Sequence, residues 1–241
     1  MKLFKNLCSL PLFIPGFFNL MDSTLKKKSE GFICCWHDLS AKIFQNHVEA
    51  LQPNKPIPLE ELINRFRSGQ STSGCFAITF DDGEGTTVRD ISKKCIEKGW
   101  PVTFYLPTKY LDEGFLPYQN LEPILWSEVQ ELSKNQLISF QSHGVTHSAV
   151  SSLNEEEIEL EMINSKKIIE SHTNKKVHSF CYPYGSKESI GDIAPKVAAK
   201  YFSSAVTLIH GRLKKNDPFY LPRIGLYKED LKSLARLKTL I

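Results

Sequence analysis

The chain has little of what several large functional classes require. Its six cysteines (Cys8, Cys34, Cys35, Cys75, Cys95, Cys181) form no C-x-x-C pair. Several sit inside apolar runs, where a thiol behaves as a small hydrophobe. A disulfide framework is therefore not expected, and a reducing compartment is favoured. There is no Gly-rich phosphate loop, no familiar Ser/His/Asp order and no basic groove. The net charge of +3 is too small to argue for nucleic acid. The runs Lys26-Lys27-Lys28 and Lys214-Lys215 read as solvated loops. No internal repeat is visible. The apolar stretch Leu7–Met21 is broken by Pro11, Pro15, Gly16 and Asn19, whereas spanning a bilayer takes about 20 mostly apolar residues. It also lacks a good small-x-small cleavage site. We expect residues 1–21 to pack on the domain or make peripheral contact with a membrane surface. A cytoplasmic or membrane-associated location is favoured over secretion.

What is present fits one domain with a substantial core: 241 residues, 41% hydrophobic and 24% charged. We divide the chain into an apolar segment and linker at 1–29 and a folded domain at 30–241. From Phe32 onward, strand-like and helix-like stretches alternate. Strands are predicted at 32–36, 76–80, 101–106, 137–140, 177–181, 203–209 and 221–226. Helices are predicted at 41–51, 59–66, 87–98, 127–134 (capped by Ser127), 154–170 (capped by Asn154), 190–201 (begun or interrupted by Pro195) and 229–240. Residues 111–123 read as a loop. Strands that are apolar throughout, separated by helices, predict an α/β fold with a parallel sheet covered by helices. In such folds chemistry gathers at the carboxyl ends of the strands.

Two polar motifs follow strands in this way. Thr79-Phe80-Asp81-Asp82-Gly83 ends an apolar run in paired acids. Side by side, two carboxylates are costly unless a cation or proton is shared, although Asp-Asp-Gly also suits a simple turn. Ser142-His143-Gly144-Val145-Thr146-His147 offers two imidazoles three residues apart. Their rings share a side if the loop takes a helical turn. Two imidazoles and one carboxylate make a three-ligand set with open positions. It suits zinc, and also iron, cobalt, nickel or manganese.

These motifs, with Phe180-Cys181-Tyr182-Pro183-Tyr184-Gly185, resemble the first three motifs of the polysaccharide deacetylase (NodB-like) family, in the family's order, from about Phe32 to about Leu226. The resemblance implies a single-domain distorted (β/α) barrel that removes acetyl groups, usually N-acetyl, from a carbohydrate. It implies that Asp82, His143 and His147 hold a divalent metal, with zinc the first choice. Asp81 would be the general base, and the Tyr184 backbone N–H would help stabilise the oxyanion. The partner would be an N-acetylated glycan or its precursor.

The general acid has two candidates. His210, in Leu208-Ile209-His210-Gly211, stands near the usual place of the family's C-terminal histidine. Trp36-His37-Asp38 resembles the early Tyr-His-Asp segment of the poly-N-acetylglucosamine deacetylase branch, and we take His37 over His210. Cys181 stands where the family often has an arginine. Arg223, in Leu221-Pro222-Arg223-Ile224, resembles an arginine of the N-terminally shifted branch: it reaches Asp81, or it is a surface residue at a strand end. Ser139-Phe140-Gln141 replaces the usual Glu-Ile-Gly, which predicts altered surroundings for His143. Trp126 reads as a helix start. Tyr105, Tyr110, Phe115 and Tyr118 line a glycan cleft or pack in the core. The alternatives are a catalytically silent glycan-binding member and a metal-dependent hydrolase of a small non-sugar amide.

Overall fold

Apolar β-prone runs become seven parallel strands that close on themselves. This computed structural model describes residues 30–116, 121–214 and 217–239. The expectations for residues 1–29, for Cys8 and for Tyr118 lie outside the described residues. The strands are β1 (Phe32–Trp36), β2 (Lys55–Pro56), β3 (Cys75–Phe80), β4 (Val102–Leu106), β5 (Ile138–Ser142), β6 (Ser179–Cys181), β7 (Ser204–His210) and β8 (Leu221–Gly225). Strands β3 to β8 pair in sequence order, and β1 joins β8 to β3, from Phe32↔Phe76 through Trp36↔Phe80. The short β2 only flanks the start of β3. The result is a parallel (β/α) barrel, as the alternation of elements led us to expect.

The helices are α1 (Ala41–Ala50), α2 (Leu59–Arg67), α3 (Gly85–Lys98), α4 (Thr108–Glu113), α5 (Trp126–Leu132), α6 (Glu155–Thr173), α7 (Lys187–Ile190), α8 (Ala194–Tyr201) and α9 (Lys232–Lys238). Local chemistry fixes their ends. Glu84 accepts from the N–H groups of Thr86 and Thr87 to open α3, and Gly99, with φ 68°, closes it. Asn154 and Glu157 cap α6 reciprocally.

Three sequence expectations need correction. The stretch 111–123 is not all loop: α4 reaches into it and ends at Gly114, whose φ of 71° suits a glycine. Ser127 lies inside α5 rather than capping it, and Glu128 turns back to accept from the Leu125 N–H. The helix expected at 190–201 is two pieces, α7 and α8. Gly191 breaks them apart, and Pro195 sits in the first turn of α8, where its missing N–H costs nothing.

Alternate residues on each strand serve two cores. Phe32, Cys34, Trp36, Phe76, Ile78, Phe80, Phe104 and Phe140 pack in the layer that meets the surrounding helices. Trp36, Phe44, Phe80, Phe104 and Phe140 form a chain of ring contacts 5.4–5.7 Å apart. Each such contact contributes roughly 0.5–1.5 kcal/mol beyond area burial. The intervening residues Ile33, Ala77, Tyr105, Cys181, Val206 and Leu221 form a second cluster, joined by Leu59, Leu62 and Ile63 of α2.

The ring is weakest between β5 and β6, whose ladder is the single pair Ser142↔Phe180. The Gln141 carboxamide bridges the seam instead, accepting from the N–H groups of His178 and Ser179. A cavity of about 410 Å³ opens at this N-terminal end of the barrel, lined by residues such as Thr103, Ser139, Gln141 and Ser204. It contains none of the predicted site residues. Among the described residues no helix is long and apolar enough to cross a membrane.

Candidate active site

The polar motifs meet at the other end of the barrel, where the strands finish. Beyond β3 the chain turns through Asp82 and Gly83, both left-handed (φ 72° and 71°). This tight turn drops two successive carboxylates into the same cavity. Asp81 and Asp82 are both buried.

The two imidazoles converge without the helical turn that their spacing would allow. The segment after β5 is irregular. Gly144 and His147 take left-handed backbone conformations (φ 79° and 55°), and these fold the chain back on itself. The rings of His143 and His147 lie 4.7 Å apart, nearly perpendicular. Their Nε2 atoms stand 3.6 and 3.4 Å from Asp82 Oδ1. The three ligating atoms therefore surround one point.

The donor chemistry fits a cation there. His143 Nδ1 lies 2.8 Å from the Cys181 carbonyl oxygen, so a neutral ring must carry its proton on Nδ1 and donate it. Burial, with the second imidazole beside it, pushes His143 down to about 4; at neutral pH the ring is uncharged. The Nε2 lone pair then faces a carboxylate oxygen. Two electron-rich atoms aimed at one point are stabilised by a metal ion between them, and the carbonyl behind His143 orients the ring for it.

Asp81 lies beside this set, with an oxygen within 4.8 Å of a His143 nitrogen and of Cys181 Sγ, but its own partner is different. Arg223 grips both of its oxygens: Nη1 reaches Oδ1 at 2.8 Å and Nη2 reaches Oδ2 at 2.7 Å. All five N–H donors of Arg223 meet acceptors, the others being the Thr207 carbonyl oxygen, Thr79 Oγ1 and Cys181 Sγ. Arg223 is 1% exposed, so the surface alternative is excluded. Burial alone would raise the Asp81 carboxyl, but the guanidinium outweighs it and holds it well below the usual range. Thiols of Cys35 and Cys181 lie 3.4 and 3.6 Å from Oδ2; burial pushes both far above the ordinary thiol value, so they remain protonated donors.

His37 follows β1. Its Nε2 is 3.8 Å from Asp81 Oδ2, and its side chain is 31% exposed, facing the open mouth. His210 is exposed at the end of β7 and joins none of the groups of ligating atoms found among the described residues. Tyr184, with φ 62° and 59% exposure, projects over the mouth, its ring 5.0 Å from that of His147. Among the described residues nothing accepts from its backbone N–H. Of the four non-glycine residues with left-handed backbones among the described residues, Asp82, His147 and Tyr184 are here. Such conformations cost of order 1–3 kcal/mol and cluster at functional sites.

The structure also settles several side expectations. The hydrogen bonds of the Gln141 carboxamide go to Ser139, His178 and Ser179. Tyr105 is buried and bonds Ser179 Oγ, so it is core. Tyr110 donates to the Thr146 carbonyl oxygen and braces the histidine loop. Phe115 is exposed. Trp126 does start a helix; its indole N–H donates to Asp112 and its ring stacks on His172.

A family model for polysaccharide deacetylase matches residues 68–202, more than half of the chain. The chain belongs to the polysaccharide deacetylase family. No curated protein matches the sequence. Among solved structures it is similar to the Streptococcus pyogenes deacetylase PplD in complex with acetate (16% identity, TM-score 0.73, covering 88% of this chain and 97% of that one). It is also similar to a de-N-acetylase from Aggregatibacter actinomycetemcomitans (17% identity, TM-score 0.70, 88% and 100% covered). IcaB from Ammonifex degensii is a third likeness (15% identity, TM-score 0.71, 88% and 97% covered). At these identities the shared property is the barrel fold.

Sequence reasoning missed Glu161 of α6, whose carboxylate accepts from the Val145 and Thr146 N–H groups and the Thr146 hydroxyl. Nothing in the run of acids along this helix distinguishes it. It missed the thiol of Cys35 as well, since an apolar strand gives no sign of which residue faces the acids.

Proposed function

We propose that this polysaccharide deacetylase family member hydrolyses acetamide groups on an N-acetylated glycan or its precursor, using one divalent metal ion, zinc being the first choice. Asp82 Oδ1, His143 Nε2 and His147 Nε2 would hold the ion. When bound, the metal supplies Lewis acidity to the acetyl carbonyl and lowers the pKa of the attacking water.

The remaining roles belong to the chain itself. Asp81, kept ionised and oriented by Arg223, takes the proton from the water. The Tyr184 N–H donates to the developing oxyanion. His37, at the open mouth beside Asp81, delivers a proton to the departing amine. His37 together with Arg223 supports a kinship with the branch that carries its histidine motif at the N-terminus. The exposure of His37 and Tyr184 favours an open approach by a sugar chain over a closed pocket for a small amide. Residues 1–21 remain our candidate for peripheral membrane contact.

The observation that carries this reading is the division of labour between two adjacent acids. Asp82 faces two imidazoles, while Asp81 faces an arginine. A catalytically silent member has no need to keep the second acid ionised and buried. The test is acetate release from N-acetylglucosamine oligomers with several divalent metals. The Asp81→Asn variant is expected to retain metal and lose turnover. Full activity in that variant would remove Asp81 from the mechanism.

A further inference from the structure

The loop that carries both imidazoles is held from two sides. On one side the start of α4 supplies donors: the N–H groups of Thr108 and Lys109 go to the Gly144 and Val145 carbonyls, and the Tyr110 hydroxyl goes to the Thr146 carbonyl. These consume three successive acceptors between His143 and His147. On the other side stands Glu161. Its Oε2 accepts from the Val145 N–H at 2.8 Å and the Thr146 N–H at 2.9 Å, and its Oε1 accepts the Thr146 hydroxyl at 2.8 Å. The backbone between the two rings is thus clamped between a row of donors and one carboxylate.

The clamp explains the residue between the histidines. Gly144 has φ 79°, and a Cβ there would lie 2.9 Å from Glu161 Oε2. A side chain at 144 and the carboxylate at 161 compete for the same space. An irregular loop has no ladder of its own, so its shape is set by whatever satisfies its N–H groups. Here one side chain satisfies two of them.

We infer that Glu161 is a positioning residue for the metal centre, holding the loop in the one shape that brings His143 Nε2 and His147 Nε2 to the same point. This rests on the metal-centre reading above. Glu161 acts on the imidazoles through the Val145–Thr146 segment that it binds. A glutamine keeps an oxygen for the two N–H groups and turns its amide toward the Thr146 hydroxyl, which can accept. An alanine leaves both N–H groups without this partner.

The test is metal affinity of the metal-stripped protein, read by the visible absorption of added cobalt(II) and by competition of zinc with a chromophoric chelator. The variants are Glu161→Gln, Glu161→Ala and Thr146→Val. Denaturation of each metal-free variant is measured in parallel. The inference expects Glu161→Gln to bind within about threefold of the parent, and Glu161→Ala to bind about 10–100-fold more weakly with an altered cobalt spectrum, as for other partners that orient ligands. Thr146→Val should fall between them. Metal-free denaturation midpoints should stay close to the parent's. Equal affinity and spectrum in Glu161→Ala would overturn the positioning role. So would a loss that tracks global unfolding across all three variants, since that marks a general structural role. If the parent itself binds no metal, the metal-centre reading fails and takes this inference with it; a parent that binds while Glu161→Ala binds equally well leaves that reading intact and removes only Glu161.

Discussion

Arg223 and Asp81 are locked in a buried two-point ion pair across the barrel, β8 to the end of β3, with N–O distances of 2.8 and 2.7 Å. Arg223 also donates to the Thr207 carbonyl oxygen of β7 and to Thr79 Oγ1 of β3, so the pair sits inside a network that ties three strands together. The pair keeps Asp81 charged at any ordinary pH.

Removing one side of such a pair leaves the other charge stranded. Arg223→Met is expected to destabilise the protein by about 3–5 kcal/mol, measured by chemical denaturation. Arg223→Lys retains the charge but not the fork. It should keep more of the stability while turnover falls by about 100-fold through misplacement of Asp81. Equal turnover in the lysine variant would show that orientation by the guanidinium is not required.

His143 makes the metal-free protein acid-sensitive. Its folded value, about 4, lies below the ordinary histidine value of about 6.5, so the unfolded chain binds the proton more tightly. The stabilisation is complete above about pH 6.5 and is lost as pH falls toward 4, amounting to ~3 kcal/mol over that window. Metal-stripped His143→Gln should lack this component of the pH dependence when melting is followed from pH 7 to 4.

The general acid is decided by two alanine variants. His37 stands 3.8 Å from Asp81 Oδ2, whereas His210 is exposed at the end of β7. His37→Ala is expected to lower turnover by about 10²–10⁴-fold, and His210→Ala to leave it nearly unchanged. Small, equal effects would remove both from the mechanism.

The turn that presents Tyr184 depends on its neighbour. Gly185 has φ 61°, and a Cβ there would press into the backbone of Leu208 and lie 2.7 Å from the Leu208 Cβ. Gly185→Ala should cost at least ~1–2 kcal/mol in thermal or chemical denaturation and lower turnover by moving the Tyr184 N–H. A variant as stable and active as the parent would show that the turn adapts.

The sequence made much of this site readable because the informative residues sit at strand ends. Short β-prone apolar runs such as Phe76–Phe80 read as buried strands, and the acids that end β3 then emerge where chemistry gathers. The approach of Arg223 to Asp81 was open as one of two alternatives, because strand order in a closed barrel brings β8 to β1 and β3 through space rather than along the chain. The spacing of His143 and His147 allowed a helical turn but could not show the left-handed residues that shape the 143–147 loop instead. Glu161 was invisible for a related reason. Its partners are backbone N–H groups, which carry no signature in the side-chain sequence. Gln141 looked like a neighbour of His143 but spans a gap in the β5–β6 ladder, a defect that no local pattern records.

The account stands or falls on one titration: acetate released from N-acetylglucosamine oligomers by the metal-stripped protein as a single divalent cation is added back. We expect no release at the start and a rise that saturates near about one equivalent per chain, as a three-ligand site with open positions requires. Full release by the stripped protein, or none at any cation concentration, would contradict it.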